Sequence, residues 1–267
     1  MTTPPVTAPP ATSLPAAPVP AWFTTADCRL EDFRQLIEQE TGRADYAYAD
    51  AVQGNVLIYG ERLRGHTGAA GQRRAVQAEL ARALLEGPGI VVIKEALEAG
   101  AVDWATAVFD TLIAEQKGSG AAGGDHFAQP GANDRGWGAL DKFALRAPER
   151  FADYYANDIL ALICEAWLGP NYQMTSQLNV VNPGGTAQQV HRDYDLGFMK
   201  REQALGYPAQ VHLLSPVLTL QGAVAHCDMA PQTQAELLTR AVAGDWHTDR
   251  LRTELAAQQA RRKAGTA

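Results

Sequence analysis

Apolar residues recur every three or four positions along four stretches of the chain, which is the spacing of amphipathic helices. In the first stretch, Leu30, Phe33, Leu36 and Ile37 share one helical face. The pattern predicts four helices: from Asp27 to about Gly42, Gln72–Glu86, Ala101–Gln116 and Ala147–Leu168.

Short aliphatic and β-branched runs between turn signals predict strands. These runs are Ile90–Ile93, about Gln173–Val181 and Leu213–Ala225. Val56–Tyr59 is either a short strand or the apolar face of a turn. Helices beside a buried strand indicate an α+β domain in which helices pack on a sheet.

The two ends of the chain differ from the part between them. Residues 1–20 contain seven prolines and no charged side chain. Because no basic segment precedes an apolar core, we expect a disordered leader and not a secretory signal. Residues 21–229 carry the predicted elements and form one expected domain. Residues 230–267 predict a helical tail without strands.

The composition argues against nucleic acids and membranes as binding partners. The 267 residues are 46% hydrophobic and 20% charged, with a formal charge of −7, so no nucleic-acid partner is expected. No apolar run approaches the roughly 20 residues that span a bilayer, so no membrane is expected. Three scattered cysteines form neither a disulfide framework nor a zinc motif, which favours a reducing, cytoplasmic setting.

Two stretches bring polar side chains together. Residues 118–138 are rich in glycine but hold His126, Asp134, Arg135 and Trp137, so they are either a binding loop or a mobile connection. Residues 177–195 run from an apolar strand through Asn182-Pro183-Gly184-Gly185 to His191-Arg192-Asp193.

His191 and Asp193 are two residues apart, so in an extended segment both side chains point the same way. An imidazole and a carboxylate from one segment, with a distant second histidine, form the facial triad of non-haem Fe(II) oxygenases. His226 and His247 also begin His-x-Asp patterns, so spacing alone does not identify a metal site. His191 and Asp193 are either metal ligands or a hydrogen-bonded buried pair.

The segments GDHFAQPGANDRGWGALDKF, YYANDILALICEAWLGPNYQ and QLNVVNPGGTAQQVHRDYDLGF occur in this order. Together they resemble the phytanoyl-CoA dioxygenase family over roughly Ile90 to Met229. The resemblance implies a double-stranded β-helix, a fold of the jelly-roll and cupin type, with helices on its N-terminal side. It also implies an oxygenase that uses Fe(II) and 2-oxoglutarate to hydroxylate an unactivated C–H bond of a small organic or acyl substrate.

The resemblance also implies roles for single residues. His191 and Asp193 match the iron ligands, and Gln177 matches a glutamine near the co-substrate. Lys142 is expected to pair with a 2-oxoglutarate carboxylate, and His126 is expected to line the substrate pocket. The family resemblance implies nothing about the oligomeric state of the protein.

The third iron ligand of the family, a later histidine followed by an arginine, has no counterpart at the expected distance. We therefore expect an incomplete β-helix that lacks roughly 100 residues near Met229, given the usual size of such domains. An incomplete barrel would expose sheet edges and an apolar face. Two alternatives follow: an inactive remnant that binds a ligand or partner, and a cupin-like metal protein that uses His226.

Overall fold

The computed structural model of the protein describes residues 20–120, 133–182 and 200–227. The chain divides into two compact units. The described part of the larger unit comprises residues 30–120, 133–182 and 219–227, and that of the smaller unit comprises residues 20–29 and 200–218. The expected leader, except for Pro20, and the expected helical tail lie outside the described residues.

The larger unit begins with helices and a small sheet. In chain order its elements are α1 (Leu30–Ile37), β1 (Ala51–Gln53), β2 (Val56–Tyr59), α2 (Glu61–Arg64), α3 (Ala70–Leu85) and β3 (Val91–Ile93). Strand β2 pairs antiparallel with β1 and parallel with β3. Gly54 and Asn55 join β1 to β2 with positive φ angles of 54° and 68°, as a tight two-residue hairpin turn requires. Val56–Tyr59 is therefore a strand.

In the second half of the larger unit, the described residues form four helices and a two-stranded sheet. Its elements are α4 (Ala99–Gly118), β4 (Asn133–Gly136), α5 (Ala139–Arg146), α6 (Pro148–Tyr155), α7 (Asp158–Leu168) and β5 (Leu178–Val181). Strands β4 and β5 are antiparallel, with Asn133 opposite Val181 and Gly136 opposite Leu178.

Two apolar clusters hold this unit together. The first surrounds Tyr59, Leu80 and Leu162 and joins the first sheet to α3 and α7. Within it the buried Glu79 carboxylate accepts hydrogen bonds from the Tyr48 N–H at 3.0 Å and the Tyr59 hydroxyl at 3.2 Å. Those donors offset the cost of burying an acid among apolar groups.

The second cluster joins α4, α5 and α6. Its centre is Phe143, which is fully buried and packs edge-on against Phe109, with ring centroids 5.2 Å apart. Leu178 of β5 packs against the same cluster, so one face of the second sheet is covered by helices.

The single helical region predicted over Ala147–Leu168 is two helices. Helix α6 ends at Tyr155 and α7 begins at Asp158. The Asn157 side chain accepts hydrogen bonds from the N–H groups of Ile159 and Leu160, both at 2.9 Å. An asparagine that caps a helix in this way starts a new helix, although the apolar spacing continues through it.

The regular elements in the described part of the smaller unit are helices. It contains α8 (Arg201–Ala204), α9 (Ala209–Leu214) and a 3-10 helix over Ser215–Leu218. The strand predicted over Leu213–Ala225 is wrong, since its first residues end α9 and form the 3-10 helix, and residues 219–225 of the larger unit belong to no strand. Pro216 lacks the N–H group that a strand interior needs and has a fixed φ that suits a helical turn.

The α+β class is confirmed, with small sheets as its β component. The described residues form five strands in two sheets, and they do not form a jelly roll. Among these residues, no helix combines the length and apolar character needed to cross a membrane.

Candidate functional site

The structure describes two of the five residues that the sequence assigns to a site. Gln177 is exposed and directly precedes β5, and Lys142 is exposed on α5. His126, His191 and Asp193 lie outside the described residues, so their assignments stay predictions.

The even-numbered residues around β5 face the helices. The Tyr155 hydroxyl on α6 donates a hydrogen bond to the Ser176 hydroxyl at 2.8 Å, and Leu178 packs in the second cluster. Successive side chains of a strand alternate between the two faces of a sheet. Gln177, Asn179 and Val181 therefore lie on the face away from the helices.

Strand β4 adds polar residues to that same face. Arg135 pairs directly with Asn179, and Asn133 pairs with Val181. Paired residues of an antiparallel sheet share a face and can contact each other. Asn133 is only 4% exposed, whereas its partner Val181 and the neighbouring Asn179 are exposed, so this face is buried on the β4 side and open on the β5 side.

Arg135 is the charged residue of this face. Its guanidinium lies 4.4 Å from the centroid of the Trp137 ring. Its Nε atom is buried, and within the described residues it has neither a hydrogen-bond partner nor an ion pair. A buried donor without a partner is costly, and a planar guanidinium matches a carboxylate well. The face is therefore suited to binding an organic acid.

The opposite face of β4 carries a hydrogen-bonded carboxylate. Asp134 Oδ2 accepts hydrogen bonds from Lys117 Nζ of α4 at 2.7 Å and from Asn182 Nδ2 at 3.0 Å. Burial raises the pKa of Asp134, but the bonds from Lys117 and Asn182 together hold it below its usual range. This carboxylate is ionised at neutral pH and links α4, β4 and the end of β5.

Lys142 and Gln177 are not brought together by the described structure. The residue beside Lys142, Phe143, is buried in the cluster that covers the helix side of the second sheet. Gln177 lies on the other side of that sheet, and no hydrogen bond or ion pair joins the two side chains. Arg135 shares the face of Gln177, whereas Lys142 lies on a helix of the opposite layer.

His226 is held among helices α4 and α6. Its Nδ1 lies 2.9 Å from the Thr106 hydroxyl, and its Nε2 lies 2.9 Å from the Tyr154 hydroxyl. Its ring also packs edge-on against Phe109, with centroids 5.4 Å apart. Both ring nitrogens are thus engaged within the protein, and the suggestion that His226 binds a metal gains no support.

The hydrogen-bond directions around His226 follow from the donors available. The Thr106 hydroxyl donates its one hydrogen to the Val102 carbonyl at 2.8 Å, so it must accept from His226 Nδ1. In the neutral imidazole, Nε2 then accepts from the Tyr154 hydroxyl. Burial lowers the pKa of His226, against the opposing charge of Asp110, and burial raises the pKa of Tyr154.

The described residues contain no cluster of three histidine, cysteine or acidic side chains that could hold a metal ion. Imidazoles elsewhere are engaged too, since His66 contacts the Arg62 carbonyl at 2.7 Å and His212 contacts the Ala204 carbonyl at 3.0 Å.

A family model described as Phytanoyl-CoA dioxygenase (PhyH) matches residues 85–235, which is more than half of the chain. The chain belongs to this family. The searches of curated proteins and of solved structures gave no match.

The PhyH region contains all five residues that the sequence assigns to the site, and it also contains Arg135. Sequence reasoning placed Arg135 in a glycine-rich loop and gave it no role of its own. The available signal was a charged residue two positions before a tryptophan in a segment otherwise rich in glycine and alanine. What the sequence did not reveal is that this segment pairs with the strand that follows Gln177.

Proposed function

We propose that this PhyH family member is an Fe(II)- and 2-oxoglutarate-dependent dioxygenase that hydroxylates an unactivated C–H bond of a small organic or acyl substrate. The observation that carries the proposal is the polar face of the second sheet, where Arg135 and Asn179 lie beside Gln177 within the region matched by the family. Among the described residues, the buried Nε of Arg135 has no hydrogen-bond partner, and a guanidinium on that face suits an organic dianion.

The proposed fold is the double-stranded β-helix of the family, with β4 and β5 as two of its strands. In such a barrel one face of each sheet points inward and the other is covered. The helices that pack on Leu178, and the polar residues on the reverse face, support this arrangement.

In this proposal His191 and Asp193 hold the iron, and Arg135 binds a carboxylate of 2-oxoglutarate beside Gln177. The bound iron and co-substrate supply the oxidation of the C–H bond, which protein side chains cannot perform by themselves. His126 lines the pocket for the substrate. Lys142, which the sequence assigned to the co-substrate carboxylate, lies on a helix of the opposite layer and has no role in this proposal.

The test is succinate release from 2-oxoglutarate by the purified protein with Fe(II), in parallel with iron stoichiometry. We expect succinate formation by the wild type and its loss, with weaker iron binding, in His191→Ala and Asp193→Ala. His66→Ala is the control, because His66 lies outside the PhyH region. Succinate release that survives His191→Ala would refute the assigned site.

A second candidate function is ligand binding without turnover by an incomplete family member. It is favoured by the engagement of both downstream histidines that the structure describes, His212 and His226, in hydrogen bonds within the protein. This candidate predicts that 2-oxoglutarate binds but that no succinate is formed at any iron concentration.

A further inference from the structure

The second sheet is short, so its register depends on more than its backbone. Strands β4 and β5 contain four residues each. A shift of one residue would turn every side chain of one strand to the other face. Such a shift in β5 would move Gln177 and Asn179 toward the helices and separate them from Arg135.

Two features fix the register at opposite ends of this sheet. At one end, Asn182 donates to Asp134, its diagonal neighbour on the helix side, at 3.0 Å. At the other end, Gly136 lies so close to Leu178 that a Cβ atom there would be 3.1 Å from the Leu178 Cβ. Only a residue without a side chain fits opposite Leu178 without some adjustment.

The end of α4 holds β4 in place. Lys117 Nζ donates to the same Asp134 oxygen that Asn182 uses, at 2.7 Å. The preceding residue, Gln116, donates its side-chain amide to the Arg135 carbonyl at 3.0 Å. Consecutive residues of α4 therefore contact consecutive residues of β4. Through its bond with Asn182, Asp134 also connects α4 to the end of β5.

We propose that Asp134 and Asn182 are positioning residues that keep Arg135 and Gln177 on one face for binding 2-oxoglutarate. This inference rests on the proposed function. Neither residue contacts the co-substrate, because both side chains lie on the helix side of the sheet. The bond between Asp134 and Asn182 affects the binding of 2-oxoglutarate only because it fixes the register of β4 and β5.

A reciprocal exchange of the two side chains tests the bond. Asn182→Asp places two carboxylates together, whereas the double variant Asp134→Asn/Asn182→Asp restores an amide–carboxylate bond between the same positions. Glu115→Gln is the matched control, because it removes an ion pair of the same 2.7 Å length from α4, the one to Arg146, without touching the sheet. The readouts are the thermal midpoint and the calorimetric affinity for 2-oxoglutarate with Mn(II), measured well below that midpoint.

We expect Asn182→Asp to weaken 2-oxoglutarate binding about tenfold, and the double variant to recover most of the loss. Glu115→Gln should bind like the wild type. If Asn182→Asp does not fold, the comparison is between Asp134→Asn and the double variant. The inference then predicts that Asp134→Asn binds 2-oxoglutarate more weakly than the double variant does. Equal affinities of folded variants, or a loss that the double variant does not recover, would overturn the inference. A wild type that does not bind 2-oxoglutarate would overturn the proposed function, and this inference with it.

Discussion

His226 illustrates how a single residue is fixed by the directions of its hydrogen bonds. Nδ1 donates to Thr106, and in the neutral imidazole Nε2 accepts from Tyr154. Burial lowers the pKa of His226 and so favours this neutral form. A proton on Nε2 would remove the acceptor that Tyr154 uses. Arg135 is the opposite case, because the described structure leaves its Nε donor without a partner.

We expect His226 to make stability depend on pH. Its pKa in the folded protein lies below the ordinary value of 6.5, so its contribution is complete above that value and is lost as pH falls through the folded pKa. Urea unfolding of the wild type and His226→Gln between about pH 8 and pH 5 measures this contribution. The difference between the two proteins should shrink on acidification. A constant difference would contradict the neutral assignment.

Arg135→Met should weaken 2-oxoglutarate binding about tenfold or more, because a charge-assisted pair with a carboxylate is lost. The variant should bind 2-oxopentanoate, in which a methyl group replaces the distal carboxylate, as well as the wild type does. Arg150→Met is the control, since Arg150 also stacks on a tryptophan, 4.3 Å from the Trp104 centroid. Equal losses for both acids would mean that Arg135 has a structural role or binds the other carboxylate.

Individual elements depend on capping and on partners distant in sequence. Helices α3 and α4 lie close to their predicted ranges, because their apolar spacing and turn signals are local. Strand β4 reads Asn-Asp-Arg-Gly, a sequence with little strand propensity, and it was predicted as part of a loop. Its strand conformation comes from pairing with β5, more than 40 residues later.

Asn157→Ala should lower the free energy of unfolding by about 1–2 kcal/mol, because α7 loses its N-cap. The side chain also donates to the Ala96 carbonyl at 2.9 Å. Asn157→Asp should lose only that second bond and be less destabilised. Urea unfolding measures both variants, and equal stability of Asn157→Ala and the wild type would contradict the capping assignment.

The whole molecule does not divide where the family match begins. The PhyH region starts at Leu85, the last residue of α3, but β3 within it pairs with β2 before it. The first apolar cluster also joins residues on both sides of that boundary, such as Leu80 and Leu162. In the larger unit, the described residues therefore pack together across the start of the family match.

Binding of Mn(II) and 2-oxoglutarate should raise the thermal midpoint of the protein. A ligand at about 100 times its dissociation constant stabilises the folded state by about 2.7 kcal/mol, which corresponds to about 5 °C or more for a chain of this size. Asp193→Ala should lose this shift, while Glu115→Gln should keep it. A wild type with no shift under saturating ligand would count against a co-substrate site.

The sequence by itself determined the α+β class, helices α3 and α4, strand β3, and the family to which the chain belongs. These depend on periodicity, caps and motifs that operate within a few neighbouring residues. Only the tertiary structure decided that Asn133–Gly136 is a strand, that Arg135 lies on the face of Gln177, and that His226 is bonded between helices. Those outcomes depend on contacts between distant segments, and such contacts are selected by the packing of the whole unit and not by any local pattern.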